Sequence, residues 1–241
     1  MKLSFAVLAT LLFITSTHAQ WSNKTIKGNG NVITITRNTL DYDAIKCAGS
    51  WDFILVQGKE GTITIKGEEN LLDYIITEVD GDELMIKTEN NINLKTSFNK
   101  TITITIPFKD INKVALAGSG DITSTHTIRS KDFETKLAGS GDIILDIEAK
   151  NAKAIVTGSG DVTLTGNTTH FEASVTGSGD IHAYKLNAET ADVKVTGSGD
   201  IELHCANSIE AKVTGSGNIK YKGSPSNKKN KVTGSGSIGK F

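Results

Sequence analysis

Five aspartates occupy one repeated position in the second half of the chain: Asp121, Asp142, Asp161, Asp180 and Asp200, each directly after a Gly-Ser-Gly tripeptide. Carboxylates stacked at strand spacing could chelate calcium, as glycine- and aspartate-rich β-rolls do. The same side chains could instead accept hydrogen bonds from the backbone N–H groups of their own turns. The series decides between the two. The position continues as Asn218 and then Ser237, which keep an acceptor and lose the charge. Turn capping tolerates that change, cation binding does not, and the nonapeptide spacing of calcium β-rolls is absent. The aspartates are therefore expected to cap turns, with a calcium column as the weaker reading.

Other residue types offer less. His126, His170, His182 and His204 fall in different repeats without paired metal-ligand spacing, and His182 and His204, on outward parity, are expected to be solvated. No Ser or Cys has the fixed context of a nucleophilic triad. Paired carboxylates on a β-helix face could hydrolyse glycosides, but here the outward acids alternate with lysines and Tyr184 is the clearest outward aromatic in the repeats. The stretch Gly234-Ser-Gly-Ser-Ile-Gly-Lys240 nearly spells a phosphate loop, yet Phe241 replaces the required hydroxyl residue and no helix follows. No catalytic residue, metal or cofactor is expected.

The elements that position these residues follow from the repeat. GSGD recurs at 118, 139, 158, 177 and 197, then GSGN at 215 and GSGS at 234, at intervals of 18 to 21 residues. A fixed period near 20 marks stacked units, each too small to bury its own apolar face. The residue after each turn is Ile or Val. The run into the next turn alternates, with Ala191, Val193 and Val195 pointing one way and Asp192 and Lys194 the other. Period two with one apolar side is a half-buried strand. The fold class expected is all-β: a single-stranded parallel β-helix with rungs of about 20 residues. Its expected hand is right-handed, the usual hand of parallel crossovers. The turn glycines are Gly118, Gly120, Gly139, Gly141, Gly158, Gly160, Gly177, Gly179, Gly197, Gly199, Gly215, Gly217, Gly234 and Gly236, where positive φ is expected to let the chain reverse.

Residues 20–116 also read as β, without the regular repeat. Asp80-Gly81-Asp82 separates two apolar runs as a hairpin, and Ala48-Gly49-Ser50-Trp51-Asp52-Phe53 looks like a degenerate turn of the repeated type. This segment is expected to form the first coils and cap of the solenoid, with regular rungs over 117–241. Cys47 and Cys205 both fall on inward parity, so two separately buried thiols are expected rather than a disulfide.

Twenty-six basic against 27 acidic side chains give no reason to expect a nucleic-acid or anionic-membrane partner for the whole molecule. The charge is uneven, however: Asn218–Phe241 holds six lysines (Lys220, Lys222, Lys228, Lys229, Lys231 and Lys240) and no acid. Met1-Lys2, the apolar run Leu3–Ile14 and the small-residue exit at Ala19 read as a cleavable secretory signal over 1–19, cut before Gln20. The mature chain is expected to be exported to the periplasm, cell surface or medium, and not to be an integral membrane protein.

The signal, Phe53-Ile-Leu-Val-Gln-Gly with Thr62-Ile-Thr-Ile-Lys, the Asp80-Gly-Asp-Glu-Leu-Met-Ile-Lys hairpin and the serial V-T-G-S-G-D turns resemble the family known as "putative auto-transporter adhesin, head GIN domain", found largely in Bacteroidetes. The resemblance covers nearly all of the mature chain. It implies an exported β-helical adhesin and brings no catalytic residues with it. The lipid-facing strands of an autotransporter barrel do not precede Phe241. The expected function is thus non-enzymatic contact with an unidentified protein or glycan surface, with self-association open. The alternatives are an envelope module that binds another protein, and a carbohydrate-active enzyme.

Overall fold

The computed structural model describes residues 23–241; the export signal expected at 1–19 lies outside them. In chain order the first strands are β1 (Lys24–Lys27), β2 (Val32–Asn38), β3 (Ala44–Gly49), β4 (Asp52–Gln57), β5 (Thr62–Glu68), β6 (Ile75–Asp80), β7 (Glu83–Thr88), β8 (Ile92–Lys95) and β9 (Thr103–Phe108). There follow β10 (Lys113–Gly118), β11 (Asp121–Ser124), β12 (Ile128–Gly139), β13 (Asp142–Gly158), β14 (Val162–Gly177) and β15 (Ile181–Gly197), then β16 (Ile201–Gly215), β17 (Asn218–Lys222), β18 (Asn227–Gly234) and β19 (Ser237–Lys240). One helical turn, α1 (Glu69–Leu72), follows β5. Four residues are too few to leave a helical period in the sequence.

The chain is a β-solenoid of about 7 turns with ~19-residue rungs. From β10 onward every ladder is parallel, and neighbouring turns align glycine on glycine: Gly118, Gly139, Gly158, Gly177, Gly197, Gly215 and Gly234 form one column. The inward columns are buried throughout, from Phe133 and Leu137 through Val193 and Val195 to Ile209 and Val213. Alanine, valine, isoleucine and leucine fill most of this interior; buried rings lie in both halves, Tyr42, Trp51, Phe53 and Phe108 in the first and Phe133, Phe171 and Tyr221 among the repeats. Cys47 and Cys205 are separate buried thiols, as the parity implied. Burial pushes both thiols up in pKa.

The turns explain the tripeptide. Gly158 has φ +128, a region that L side chains avoid, and a Cβ there would lie 2.2 Å from the Gly139 carbonyl oxygen. Gly160 shows no such φ, yet its Cβ would lie 2.0 Å from the Gly141 carbonyl oxygen. The first glycine of each turn is thus required by both conformation and space, the second by space alone. The contact is also bonded: Ser159 and Gly160 N–H both donate to the Gly139 carbonyl, at 2.8 and 3.1 Å.

The first half joins the same stack. β3 and β4 pair with β10 and β11 in the repeat register, Gly49 against Gly118 and Asp52 against Asp121, so the Gly49-Ser50-Trp51 segment occupies a repeated turn. β10 crosses the 116/117 boundary drawn from the sequence and pairs with β3 on one side and β12 on the other. Beyond this coil the pattern changes. β6 and β7 form the expected hairpin around Gly81, and β5 pairs antiparallel with both β2 and β9. Arg37 ties this end together by donating to the carbonyls of Leu72 and Ile75. A second, two-stranded sheet, β1 with β8, lies beside it.

That small sheet is held by a buried carboxylate. Glu68 is fully buried and accepts hydrogen bonds from Gly30 N–H at 2.6 Å, Ser97 N–H at 2.8 Å and the Ser97 hydroxyl at 2.6 Å. Burial raises its pKa, but the bonds from Ser97 and Gly30 and the positive charge of Lys100 outweigh burial, and the net shift is downward.

Two predictions follow from this packing. Val193→Asp buries a charge in the narrow interior and should cost about 3 kcal/mol or more in denaturant unfolding, while Lys194→Asp, one residue along, should be nearly neutral; equal damage would overturn the rung assignment. Glu68 has a lowered folded pKa, so its contribution is complete above the ordinary glutamate range and is lost as pH falls through the folded value. Protection of the amides at Ser97 and along β8, taken relative to their intrinsic exchange rate at each pH, should fall on acidification in the native protein. In Glu68→Gln that protection should already be low at neutral pH and lose most of its acid dependence.

Candidate functional site

The aspartate column lies on the outer surface beside the turns, but its hydrogen bonds are not those expected. Each Oδ1 accepts the backbone N–H of the corresponding residue one rung further on, not an N–H of its own turn. Asp142 N–H donates to Asp121 at 3.1 Å, Asp161 to Asp142 at 3.2 Å, Asp180 to Asp161 at 2.8 Å, Asp200 to Asp180 at 2.7 Å and Asn218 to Asp200 at 2.7 Å. The backbone ladder has no carbonyl for these N–H groups as the chain leaves the turn, and the previous rung's carboxylate supplies the acceptor. Asn218 fits because its Oδ1 still accepts, from the Ser237 hydroxyl at 2.7 Å, while its Nδ2 donates back to Asp200 at 3.0 Å.

At one rung an imidazole joins the column. Ligand atoms of Asp161, Asp180 and His182 lie within 4.8 Å of one another, all half-buried. His182 Nδ1 also faces the Glu202 carboxylate at 3.4 Å. Two carboxylates and an imidazole suit a divalent cation chemically, but one oxygen of each aspartate is already committed to the next rung's N–H. The remaining histidines stay apart. His126 and His170 contact Thr125 and Thr190, at 2.9 and 3.0 Å. His204 departs from the solvated state expected for it: its Nδ1 is buried without a hydrogen-bond partner.

A broad concave feature lies on the side of the rung away from the glycine turns, and sequence reasoning missed it. Two adjoining grooves of ≈ 580 and ≈ 500 Å³ share Ser130 and Lys131 and run across several rungs. Their floor is the corner where strand parity slips. Lys131-Asp132, Lys150-Asn151 and Thr169-His170 are each two consecutive exposed residues inside an otherwise alternating run. Those polar pairs are the signal that could have marked the corner.

The corner presents ladders of hydrogen-bonding groups. One column reads Asp132, Asn151, His170, Thr190, Ser208 and Asn227 in register. Within it Asn151 Nδ2 donates to Asp132 at 2.6 Å. The next outward column reads Glu134, Lys153, Glu172, Asp192, Glu210 and Lys229 in register; Lys153 pairs with Glu172 at 2.6 Å and Lys229 with Glu210 at 2.6 Å, and Lys136, outside the column, bonds Glu134 at 2.8 Å. The hydrogen bond that Lys153 donates to Glu172 raises the Lys153 pKa despite partial desolvation. A second ladder links Asn187 Nδ2 to Asn167 Oδ1 at 3.1 Å. No nucleophile–base pair converges in the two grooves. What they offer is rows of amide, hydroxyl and charged groups at strand spacing. Among the described residues, no helix is long and apolar enough to cross a membrane.

The sequence profile described as "Putative auto-transporter adhesin, head GIN domain" matches residues 41–225. No curated protein matches the chain. Among solved structures, a "putative adhesin" from Bacteroides fragilis is similar with TM-score 0.81 at 26% identity, covering 90% of this chain and 100% of that one. A "putative lipid binding protein" from Parabacteroides distasonis gives TM-score 0.76 at 30% identity, with the same coverage. A "putative adhesin" from Parabacteroides merdae, at 22% identity and TM-score 0.70 over 90% of this chain and 99% of that one, shares the fold.

The ladder predicts how the aspartates behave. Asp161→Asn should keep most of the stability, because the amide oxygen still accepts the Asp180 N–H, while Asp161→Ala should lose about 1 kcal/mol in thermal unfolding. Calcium should leave the melting temperature unchanged; a large calcium-dependent rise abolished by Asp161→Asn would make the column a metal site.

Proposed function

Because the chain belongs to the auto-transporter adhesin head GIN domain family, we propose that it is an exported, non-enzymatic solenoid that acts by contact with a protein or glycan surface. Residues 20–116 serve as first coils and cap, and residues 117–241 as the display scaffold. The observation that carries this reading is the polar trough at the rung corner: adjoining grooves whose amide, hydroxyl and charged groups repeat in register. Groups repeated at strand spacing make several weak, similar contacts with an extended or multivalent partner. A glycan presents hydroxyls that such rows can meet, and so does a polar protein surface. The polar walls favour these partners over the lipid ligand that the name of the Parabacteroides distasonis relative suggests for that protein.

A periplasmic module that binds another envelope protein would use the same trough. Location separates the two: an adhesin is cut by protease added to intact cells, and a periplasmic module is not.

Beads coated with the protein should attach to host matrix or to glycan arrays, and attachment should fall as salt is added. Combined Asn151→Ala, Lys153→Ala and His170→Ala should reduce attachment about tenfold if these rows contribute as a multivalent set. Replacing Lys59 and Lys109, away from the trough, should not. Turnover of any glycan, or tight monovalent capture of one small molecule, would overturn the reading.

A further inference from the structure

The small β1–β8 sheet ends in a feature the trough does not explain. After β8 the chain reverses at Ser97–Lys100, closed by Lys100 N–H to the Ser97 carbonyl at 3.0 Å, with Asn99 at φ 57. A positive φ at the third position of such a turn leaves the second residue at its outer tip. That residue is Phe98, 91% exposed. No other large apolar side chain among the described residues is as exposed.

The ring is not on a loose loop. Ser97, its immediate neighbour, donates twice to Glu68, and Glu68 is fully buried and bonded also to Gly30. The turn is therefore anchored to the body of the protein by a desolvated charge, and Phe98 is held outward. Lys27 and Lys95 line the same shallow depression as Phe98. Lys27 lies directly opposite Lys95 across the β1–β8 pair, and Lys100 closes the turn. Like charges opposite one another on neighbouring strands disfavour the pairing unless an anion lies between or above them. None of Lys27, Lys95 and Lys100 makes an ion pair among the described residues. The carboxylate beneath them, Glu68, is occupied by its own donors.

We propose that the Ser97–Lys100 turn is a docking point for an anionic lipid surface. Phe98 enters the boundary between headgroups and acyl chains, and Lys27, Lys95 and Lys100 lie on the headgroup phosphates. An aromatic tip with a cationic rim combines the two attractions that bind peripheral proteins to membranes, apolar insertion and attraction to anionic lipid. A projecting ring also fits a bilayer better than a protein. A protein partner must offer a shaped pocket to bury it, whereas a bilayer closes around a tip of any outline. The whole-chain balance of 26 basic and 27 acidic residues gives no sign of this patch. One ring and three lysines give weak, salt-sensitive binding. The site uses none of the trough residues and does not depend on how the trough is read.

Co-sedimentation with phosphatidylglycerol/phosphatidylcholine vesicles tests the proposal. The protein should bind these vesicles at about 0.1 M salt, where exposed charges are screened only beyond about 10 Å, and much less at about 1 M. It should not bind pure phosphatidylcholine measurably. Phe98→Ser should weaken binding about tenfold, as should combined Lys27→Gln, Lys95→Gln and Lys100→Gln, while Phe98→Trp should retain binding and shift its emission to the blue on adding vesicles. Combined Lys228→Gln, Lys229→Gln and Lys231→Gln, at the other basic end, should leave binding unchanged. Failure to bind vesicles, equal loss from the distal lysine triple, or indifference to Phe98→Ser would overturn it. Competition by inorganic phosphate alone would show a simple anion site, and binding to an acidic protein in place of vesicles a protein interface; either result rejects the lipid assignment.

Discussion

The whole stack depends on how closely the backbone of one turn approaches the backbone of the next. At Gly158 and Gly160 a single carbon atom would sit about 2 Å from a carbonyl oxygen of the rung before, and the same holds along the regular glycine column. No side chain can enter there, and each first-glycine carbonyl takes two N–H groups from the following turn. That contact fixes the register. Once glycine lies on glycine, a period of two sends every Ile or Val after the turn inward and sends the Asp column to the surface. The interior must then be narrow, which is why Ala, Val and Ile fill most of it, with Phe133, Phe171 and Tyr221 the buried rings among the repeats.

The carboxylate ladder extends the same logic. Leaving the turn, the backbone has a donor with no carbonyl to meet, and an Asp side chain from the preceding rung accepts it; at the last rung the Ser237 hydroxyl donates to Asn218 instead. Stacking like charges at strand spacing is unfavourable in itself. It is tolerated because each Asp oxygen receives an N–H and because the surface leaves the charge partly solvated. The column is therefore scaffold chemistry in acidic form, which accounts for its loss of charge at Asn218 without loss of the ladder.

The rung was legible in the sequence because both of its constraints are local: a tripeptide only glycine can satisfy, and alternation of apolar residues around it. The direction of the Asp hydrogen bond was not, since own-turn and next-rung acceptors use the same residue types. The corner groove was hidden for a related reason. Lys150-Asn151 and Thr169-His170 look like ordinary surface residues until the strands are bent and stacked. In the first half, sequence reading found the hairpin at Gly81 and the turn at Gly49, but not the role of Glu68. A single glutamate in a polar stretch gives no sign that three donors, two of them from a residue 29 positions away, will enclose it. His204 was misread because parity reports the direction of a side chain, not the depth of each of its atoms.

A solenoid also constrains how function can be distributed. Each rung touches only its neighbours, so the energetic link between distant surfaces passes through a series of nearest-neighbour interfaces. The trough spans β12 to β15, while the Phe98 turn rests on Glu68 and the small sheet at the irregular end. Among the described residues, no hydrogen bond or ion pair joins the two sets directly. They can therefore act as separable contacts, one toward an extended polar partner and one toward a lipid surface, and a change in either leaves the other's geometry in place. A long repetitive wall favours this arrangement: the glycine column sets the scaffold once, and each outward column is then free to be specialised alone.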